Sequence, residues 1–267
     1  TTTASYRVVY EISTDEGLTW TPPRPIIHRG AGFDATRWLP AVTHGKNGAY
    51  CIPVSPCRLD DGTFVLGLAI HPMSEDGKSC RTGWFDTAFL RARWTPDGRD
   101  LEWEQSAPIK VTSETASGGC CEADLLHIRG DKLFATMRCQ GDAGRGLASS
   151  RQGSFSTDGG RTWSAPKILS YDDGKPVYVP AAFSSFLRSP RTGKVWWFAN
   201  ILDRPVPAQY PRCPLCMAEF DTERLCLIRK SVQIVQDLPP GAPSCKTDRP
   251  VDGEDFGRQY TNFGAYV

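Results

Sequence analysis

An eight-residue stretch occurs twice in this chain. Ser13-Thr14-Asp15-Glu16-Gly17-Leu18-Thr19-Trp20 returns as Ser156-Thr157-Asp158-Gly159-Gly160-Arg161-Thr162-Trp163, with six of the eight positions identical. Each copy has the chemistry of a hairpin turn. The Ser and Asp side chains can bond turn backbone, the Gly can take positive φ, and the Trp can pack between sheets. The copies start 143 residues apart, about three units of 48, close to the size of a four-stranded propeller blade. A degenerate third copy lies at Asp97-Gly98 to Trp103. Such a motif stabilises a turn and does no chemistry itself.

The rest of the sequence agrees with a fold made of hairpins. Apolar residues alternate with polar ones at Tyr6, Val8, Tyr10 and Ile12, and the same period-two pattern predicts strands at Thr63 to Ile70, Phe85 to Trp94, Ala123 to Ile128, Lys132 to Cys139, Lys194 to Leu202, Pro214 to Asp221, Leu225 to Val235 and Thr261 to Val267. Turn signals such as Asp60-Asp61-Gly62, Arg129-Gly130-Asp131 and Arg191-Thr192-Gly193 separate them, so the sheets are expected to be antiparallel. Helical periodicity is absent. With 25 Gly and 21 Pro in 267 residues, the chain carries too many turn formers for a helical bundle, and its 10% aromatic content is too high for a disordered one.

Composition also removes several function classes. The formal charge of +1 offers no long-range attraction for nucleic acid or an anionic membrane. The eight tryptophans form no basic-aromatic stripe, and Gly118-Gly119 does not open a phosphate-binding helix. The longest apolar run, Val195 to Leu202, is far shorter than the roughly 20 residues of a membrane helix. Ten cysteines suggest a disulfide framework until their neighbours are read. Cys139, Cys216 and Cys226 sit in apolar strands and Cys120-Cys121 are adjacent, so buried free thiols are expected. Cys213-x-x-Cys216 lacks two further metal ligands at suitable spacing, since the four histidines do not cluster near it.

The repeated Ser-x-Asp-x-Gly-x-Thr-Trp pattern resembles the Asp-box, or bacterial neuraminidase repeat, of the sialidase superfamily. The resemblance implies an all-β fold, a six-bladed β-propeller of four-stranded antiparallel blades, incomplete in this chain, with residues 1–267 forming one domain. At about 48 residues per blade, the sequence accounts for about four complete blades and parts of two more, with Arg24 to Trp103 read as one blade carrying a long insertion. Asp-boxes also occur in propellers without catalytic activity, so function has to come from a site. In the enzymes of this superfamily the substrate carries a carboxylate on its anomeric carbon. The resemblance implies a Tyr nucleophile activated by a Glu, with an arginine triad holding that carboxylate. A free phenol, with a pKa near 10, needs the Glu to take its proton, and the planar guanidinium fork suits a carboxylate.

The segment Gly118-Gly-Cys-Cys-Glu122 through Met137-Arg138 is similar to the family stretch in which a Glu opens a strand and the return strand ends in Arg. That match makes Glu122 the base and Arg138 a triad arginine. Arg212, in Tyr210-Pro211-Arg212, matches a second triad arginine, with Arg204 as runner-up; Tyr178 lies in the preceding segment as a substrate-binding candidate. Gln259-Tyr260-Thr-Asn-Phe-Gly-Ala-Tyr-Val267 looks like the nucleophile strand, with Tyr260 on the face opposite Thr261, Phe263, Ala265 and Val267. Asp34 and Asp86 are further candidates to line the pocket. Each of these residues also reads as an ordinary strand-end or loop group, Glu122 and Arg138 as solvated charges and Tyr260 as a buried phenol.

In the family the first triad arginine and an acid/base Asp precede the first Asp-box, where this chain has only twelve residues. Both are therefore expected upstream of Thr1, in a longer protein. The resemblance implies a retaining exo-α-sialidase-like glycosidase acting on sialylated or other acidic glycans, with no metal or organic cofactor, and favours a secreted or periplasmic location. The alternative from another class is a non-catalytic propeller that binds glycan or protein partners through the same face.

Overall fold

The computed structural model describes residues 6–51, 56–241 and 259–261. The first sheet is a hairpin of β1 (Val9–Tyr10) and β2 (Arg24–Pro25), joined through the first copy of the repeated motif. The second contains β3 (Ala49–Tyr50), β4 (Cys57–Arg58), β5 (Phe64–Ile70), β6 (Asp86–Trp94) and β7 (Leu101–Gln105) in the order β3-β5-β6-β7, with β4 also on β5. The third is β8 (Cys121–Arg129), β9 (Lys132–Cys139), β10 (Ser150–Ser156) and β11 (Lys167–Ile168). The fourth contains β12 (Ser185–Arg188), β13 (Val195–Ala199), β14 (Leu215–Asp221), β15 (Cys226–Leu227) and β16 (Gln233–Gln236), with β16 on β14. Every strand pair within these sheets is antiparallel, as the short turns require.

The repeated motif occupies equivalent places, between β1 and β2 and between β10 and β11. The chemistry read from the sequence is realised in both copies. In the second, Asp158 accepts from Ser156 Oγ at 2.8 Å, Thr162 N at 2.9 Å and Thr162 Oγ1 at 2.5 Å, while Gly160 N donates to Ser156 Oγ. The first repeats these bonds with Ser13, Asp15, Gly17 and Thr19. The degenerate copy lies between β6 and β7, where Thr95 Oγ1 donates to Asp97 Oδ1 and receives Asp100 N.

Two differences from the sequence expectation have clear causes. The predicted strand Leu225 to Val235 is broken into β15 and β16, because Ser231 Oγ donates to Ile228 O at 2.6 Å and takes Glu219 N, closing a tight turn at Arg229–Ser231. Arg24 pairs with Tyr10 in the first hairpin, so the long blade begins at β3 instead. Among the described residues there are three complete sheets and a hairpin. Phe263, Ala265 and Val267 of the expected nucleophile strand lie outside the described residues.

The sheets stack through apolar cores. Val65 and Phe89 of the second sheet pack with Leu125, Leu133, Ala135 and Met137 of the third. The other face of the third sheet, through Leu126 and Phe134, meets Val195, Trp197, Ala218 and Phe220 of the fourth. The third sheet is thus covered on both faces, which fixes β8 and β9 rigidly. Among the described residues no helix is long and apolar enough to cross a membrane.

Candidate functional site

The candidate site starts with a glycine that no other residue can replace. Gly119 has φ of 74°, and a Cβ there would lie 1.9 Å from the Phe85 carbonyl oxygen. This close approach lets Cys120 N donate to Phe85 O at 2.9 Å, docking the start of β8 on the second sheet. Two residues on, the register with β9 slips: Cys121 faces Arg138 but Asp124 faces Thr136, so β8 holds one extra residue. A regular strand would turn Glu122 to the opposite face from Cys121 and Arg138. The bulge re-aims it, and Glu122 adopts φ of 50°, a left-handed conformation costly for a side chain with a Cβ.

The result is a partly buried ion pair, Arg138 Nη1 to Glu122 Oε1 at 2.5 Å, with side-chain exposures of 15% and 9%. Glu122 Oε2 is buried and has no hydrogen-bond partner among the described residues. Backbone strain and an unpaired oxygen on one carboxylate mark a position that folding alone does not explain.

Beneath this pair lies a group the sequence reading missed. Arg151, on β10, sits directly opposite Arg138 on β9, a placement that like charges oppose. It is tolerated because Arg151 is fully engaged: it donates to Glu122 O at 3.1 Å and to Ala182 O, and it feels the Glu122 and Asp124 charges. Asp124 is buried and accepts from Ser184 Oγ at 3.3 Å. Burial raises its carboxyl to about 7, the Arg151 charge and hydrogen bonds opposing. Tyr50, at the end of β3, was also missed. Its phenol is raised chiefly by burial, with the Glu122 charge adding to this and Arg138 acting the other way.

Arg212 and Tyr260 form a second grouping. Arg212 precedes β14, and its guanidinium donates to Gln209 O, Gln209 Oε1 and Thr261 Oγ1 at 2.9 to 3.1 Å. Tyr260 N donates to Arg212 O at 2.8 Å, and Asn200 Nδ2 donates to Tyr260 O. The Tyr260 hydroxyl donates to the Asp237 carbonyl at 3.1 Å, not to Glu122. The loop bearing Arg212 also reaches the first grouping: Ser149, next to β10, donates its N to Val206 O and its hydroxyl to Ala208 O. Both groupings therefore stand at the same end of their sheets, while the second Asp-box lies at the far end of β10.

The remaining candidates are separate. Arg204 is exposed in the same loop and lines a cavity of about 540 Å³ with Asp203, Cys213 and Cys216. Tyr178 is partly buried and accepts Leu202 N on its carbonyl. Asp34 is exposed and caps its own turn, accepting Thr36 N, Thr36 Oγ1 and Arg37 N, which lower its carboxyl to about 2. Asp86 opens β6, buried, accepts Trp84 Nε1 at 3.2 Å and lines a cavity of about 570 Å³ with Arg81, Trp84 and Lys110. Burial raises its carboxyl, against the Trp84 bond and the Lys110 and Arg81 charges.

An all-β stack of antiparallel sheets of four or five strands, with Asp-boxes in the turn before the last strand and polar groups gathered at the opposite end, defines a sialidase-like β-propeller. The chain belongs to the BNR repeat-like domain family, whose model matches residues 1–224. Among solved structures it is similar to a point mutant of NanB sialidase from Streptococcus pneumoniae, with a TM-score of 0.55, 16% identity, and coverage of 86% of this chain and 29% of that one. It is also similar to the Hadza microbial sialidase Hz136, with a TM-score of 0.54, 14% identity and coverage of 86% and 37%. A third is the intramolecular trans-sialidase from Ruminococcus gnavus in complex with oseltamivir carboxylate, with a TM-score of 0.51, 15% identity and coverage of 85% and 40%. The chain thus spans less than half the length of these structures. A comparison with curated protein sequences gave no match.

Proposed function

We propose that the chain carries part of the active site of a retaining exo-α-sialidase-like glycoside hydrolase acting on sialylated or other acidic glycans. The observation that carries this reading is the Glu122 carboxylate: one oxygen is clamped by Arg138, and the other is buried without a partner among the described residues. An oxygen in that state is ready to accept a proton from a phenol. Arg138 and Arg212 hold the substrate carboxylate. Tyr260 leaves the Asp237 carbonyl, gives its proton to Glu122 Oε2 and attacks the anomeric carbon. The glycosidic C–O bond breaks as an acid protonates the leaving oxygen, and water then releases the sugar from the tyrosine.

The test is turnover of a fluorogenic sialoside by the full-length protein. Glu122→Gln and Tyr260→Phe are each expected to lower kcat at least about 100-fold, the scale of a lost acid-base or nucleophilic group. Unchanged turnover in both variants removes the assignment. One observation favours a second reading, a glycan-binding propeller without catalysis: the Tyr260 hydroxyl is engaged by Asp237 and makes no bond to Glu122. That reading expects sialoside binding with no turnover.

A further inference from the structure

We infer that Tyr50 contacts the substrate in this site, its hydroxyl donating a hydrogen bond to the acidic sugar that Arg138 holds. The inference rests on the glycosidase reading and adds to it a specificity-determining residue from a different sheet.

Chain geometry places Tyr50 beside the Glu122–Arg138 pair. Its ring meets the Phe85 ring edge-on, with centroids 5.8 Å apart. Phe85 in turn is bonded through its backbone to Gly118 and Cys120, at the entry to β8. Two residues beyond Cys120 is Glu122. Only the ring of Tyr50 is accounted for by packing. Tyr6 meets it edge-on at 6.5 Å and His71 lies at 5.9 Å, so three aromatic neighbours fix its orientation.

The hydroxyl has no such account. Among the described residues no hydrogen bond from it is found, and since it is not one of the buried unpartnered atoms it opens to solvent, where a ligand can reach it. A phenylalanine would satisfy the same three contacts. Among the described residues the site therefore holds two polar atoms without protein partners, Glu122 Oε2, which is buried, and the Tyr50 hydroxyl, which is not fully buried, near an arginine whose guanidinium is only partly used by Glu122. A ligand with carboxylate and hydroxyl oxygens supplies what both lack: acceptors for the phenol and guanidinium, and a donor for Glu122. Burial, with the Glu122 carboxylate nearby, holds the phenol in its protonated form, so it acts as a donor. Being neutral, it adds recognition of an acidic sugar without competing with Glu122 for Arg138.

The experiment titrates N-acetylneuraminic acid into the full-length wild type, Tyr50→Phe and Glu122→Gln, by calorimetry and near-ultraviolet tyrosine difference spectroscopy, alongside sialoside kinetics. Tyr50→Phe is expected to weaken binding about tenfold, as for a hydrogen bond to a charged or strongly polar group. It should raise KM by a similar factor, leave kcat within about twofold and leave Tm unchanged. The tyrosine difference signal seen in the wild type should shrink. A structural role for the ring alone predicts wild-type binding, KM and signal in Tyr50→Phe, and that result overturns the inference even where Glu122→Gln abolishes turnover. If the wild type binds no acidic sugar, the glycosidase reading falls and the inference falls with it. If Tyr50→Phe loses kcat as fully as Glu122→Gln with KM unchanged, the hydroxyl acts in the chemical step and the binding role is wrong.

Discussion

At the scale of single residues, the strongest constraint is the number of charges gathered under one strand end. Arg138 and Arg151 stand side by side on β9 and β10, and Glu122 and Asp124 come from the bulged start of β8. Removing any one of these charges leaves another without compensation in a medium that stabilises it poorly. Asp124 is the member whose titration can be read in stability. Burial holds its carboxyl at about 7 against an ordinary 3.8, so the folded protein binds this proton more tightly than the unfolded chain. The resulting stabilisation is complete below pH 3.8 and is lost as pH rises through 7. Asp124→Asn keeps the shape and removes the titration. Unfolding free energies from urea titrations at about pH 5 to about pH 8 are expected to fall in the wild type by on the order of 2–3 kcal/mol more than in the variant. Parallel curves show that Asp124 does not titrate in this range.

At the scale of elements, the two Asp-boxes separate what a local motif encodes from what it does not. They share the hydrogen bonds of the Ser, Asp, Gly, Thr and Trp positions, and these were legible because every donor and acceptor lies within seven residues. That the tryptophan can pack between sheets was legible too, but which copy does so was not, since it depends on the neighbouring sheet. Trp163 stacks on Phe89 of β6 with centroids 4.0 Å apart, and Arg91 Nε donates to Gly159 O, so this box clasps the third sheet to the second. Trp20 makes the same bond to its own turn but is 58% exposed. Trp163→Ala is therefore expected to cost about 3 kcal/mol in denaturant unfolding, and Trp20→Ala less than about 0.5 kcal/mol. Equal losses would show that the boxes stabilise only their own turns. The same distinction explains one of the strands that periodicity missed. In β10 the residues Ser150, Arg151, Gln152, Ser154 and Ser156 are polar yet buried, so apolar alternation gives no signal there. That Glu122 and Arg138 lie together was legible because one hairpin, matched through the resemblance, carries both. Tyr50 and Arg151 were missed because other strands bring them in.

At the scale of the whole molecule, each sheet shares a core with the next, and burial is unequal along the series. The third sheet contributes to two cores, whereas β16 at the far side of the fourth has all four residues exposed. Opening β16 gives up little apolar contact, while opening β9 uncovers Leu133, Ala135 and Met137, which are fully buried. Local unfolding should therefore follow this order, because opening energy rises with the buried contacts that have to be broken. Hydrogen exchange read by mass spectrometry is expected to show Leu133–Met137 exchanging only through global unfolding and Gln233–Gln236 exchanging fastest among the strands, with β13 and β14 between them. The rigid third sheet is the one that carries Glu122, Arg138 and Arg151, so the same burial that slows exchange holds the strained Glu122 backbone in place. Protection of β16 equal to that of β9 would mean that a further surface covers the fourth sheet, and the gradient along the stack would not exist.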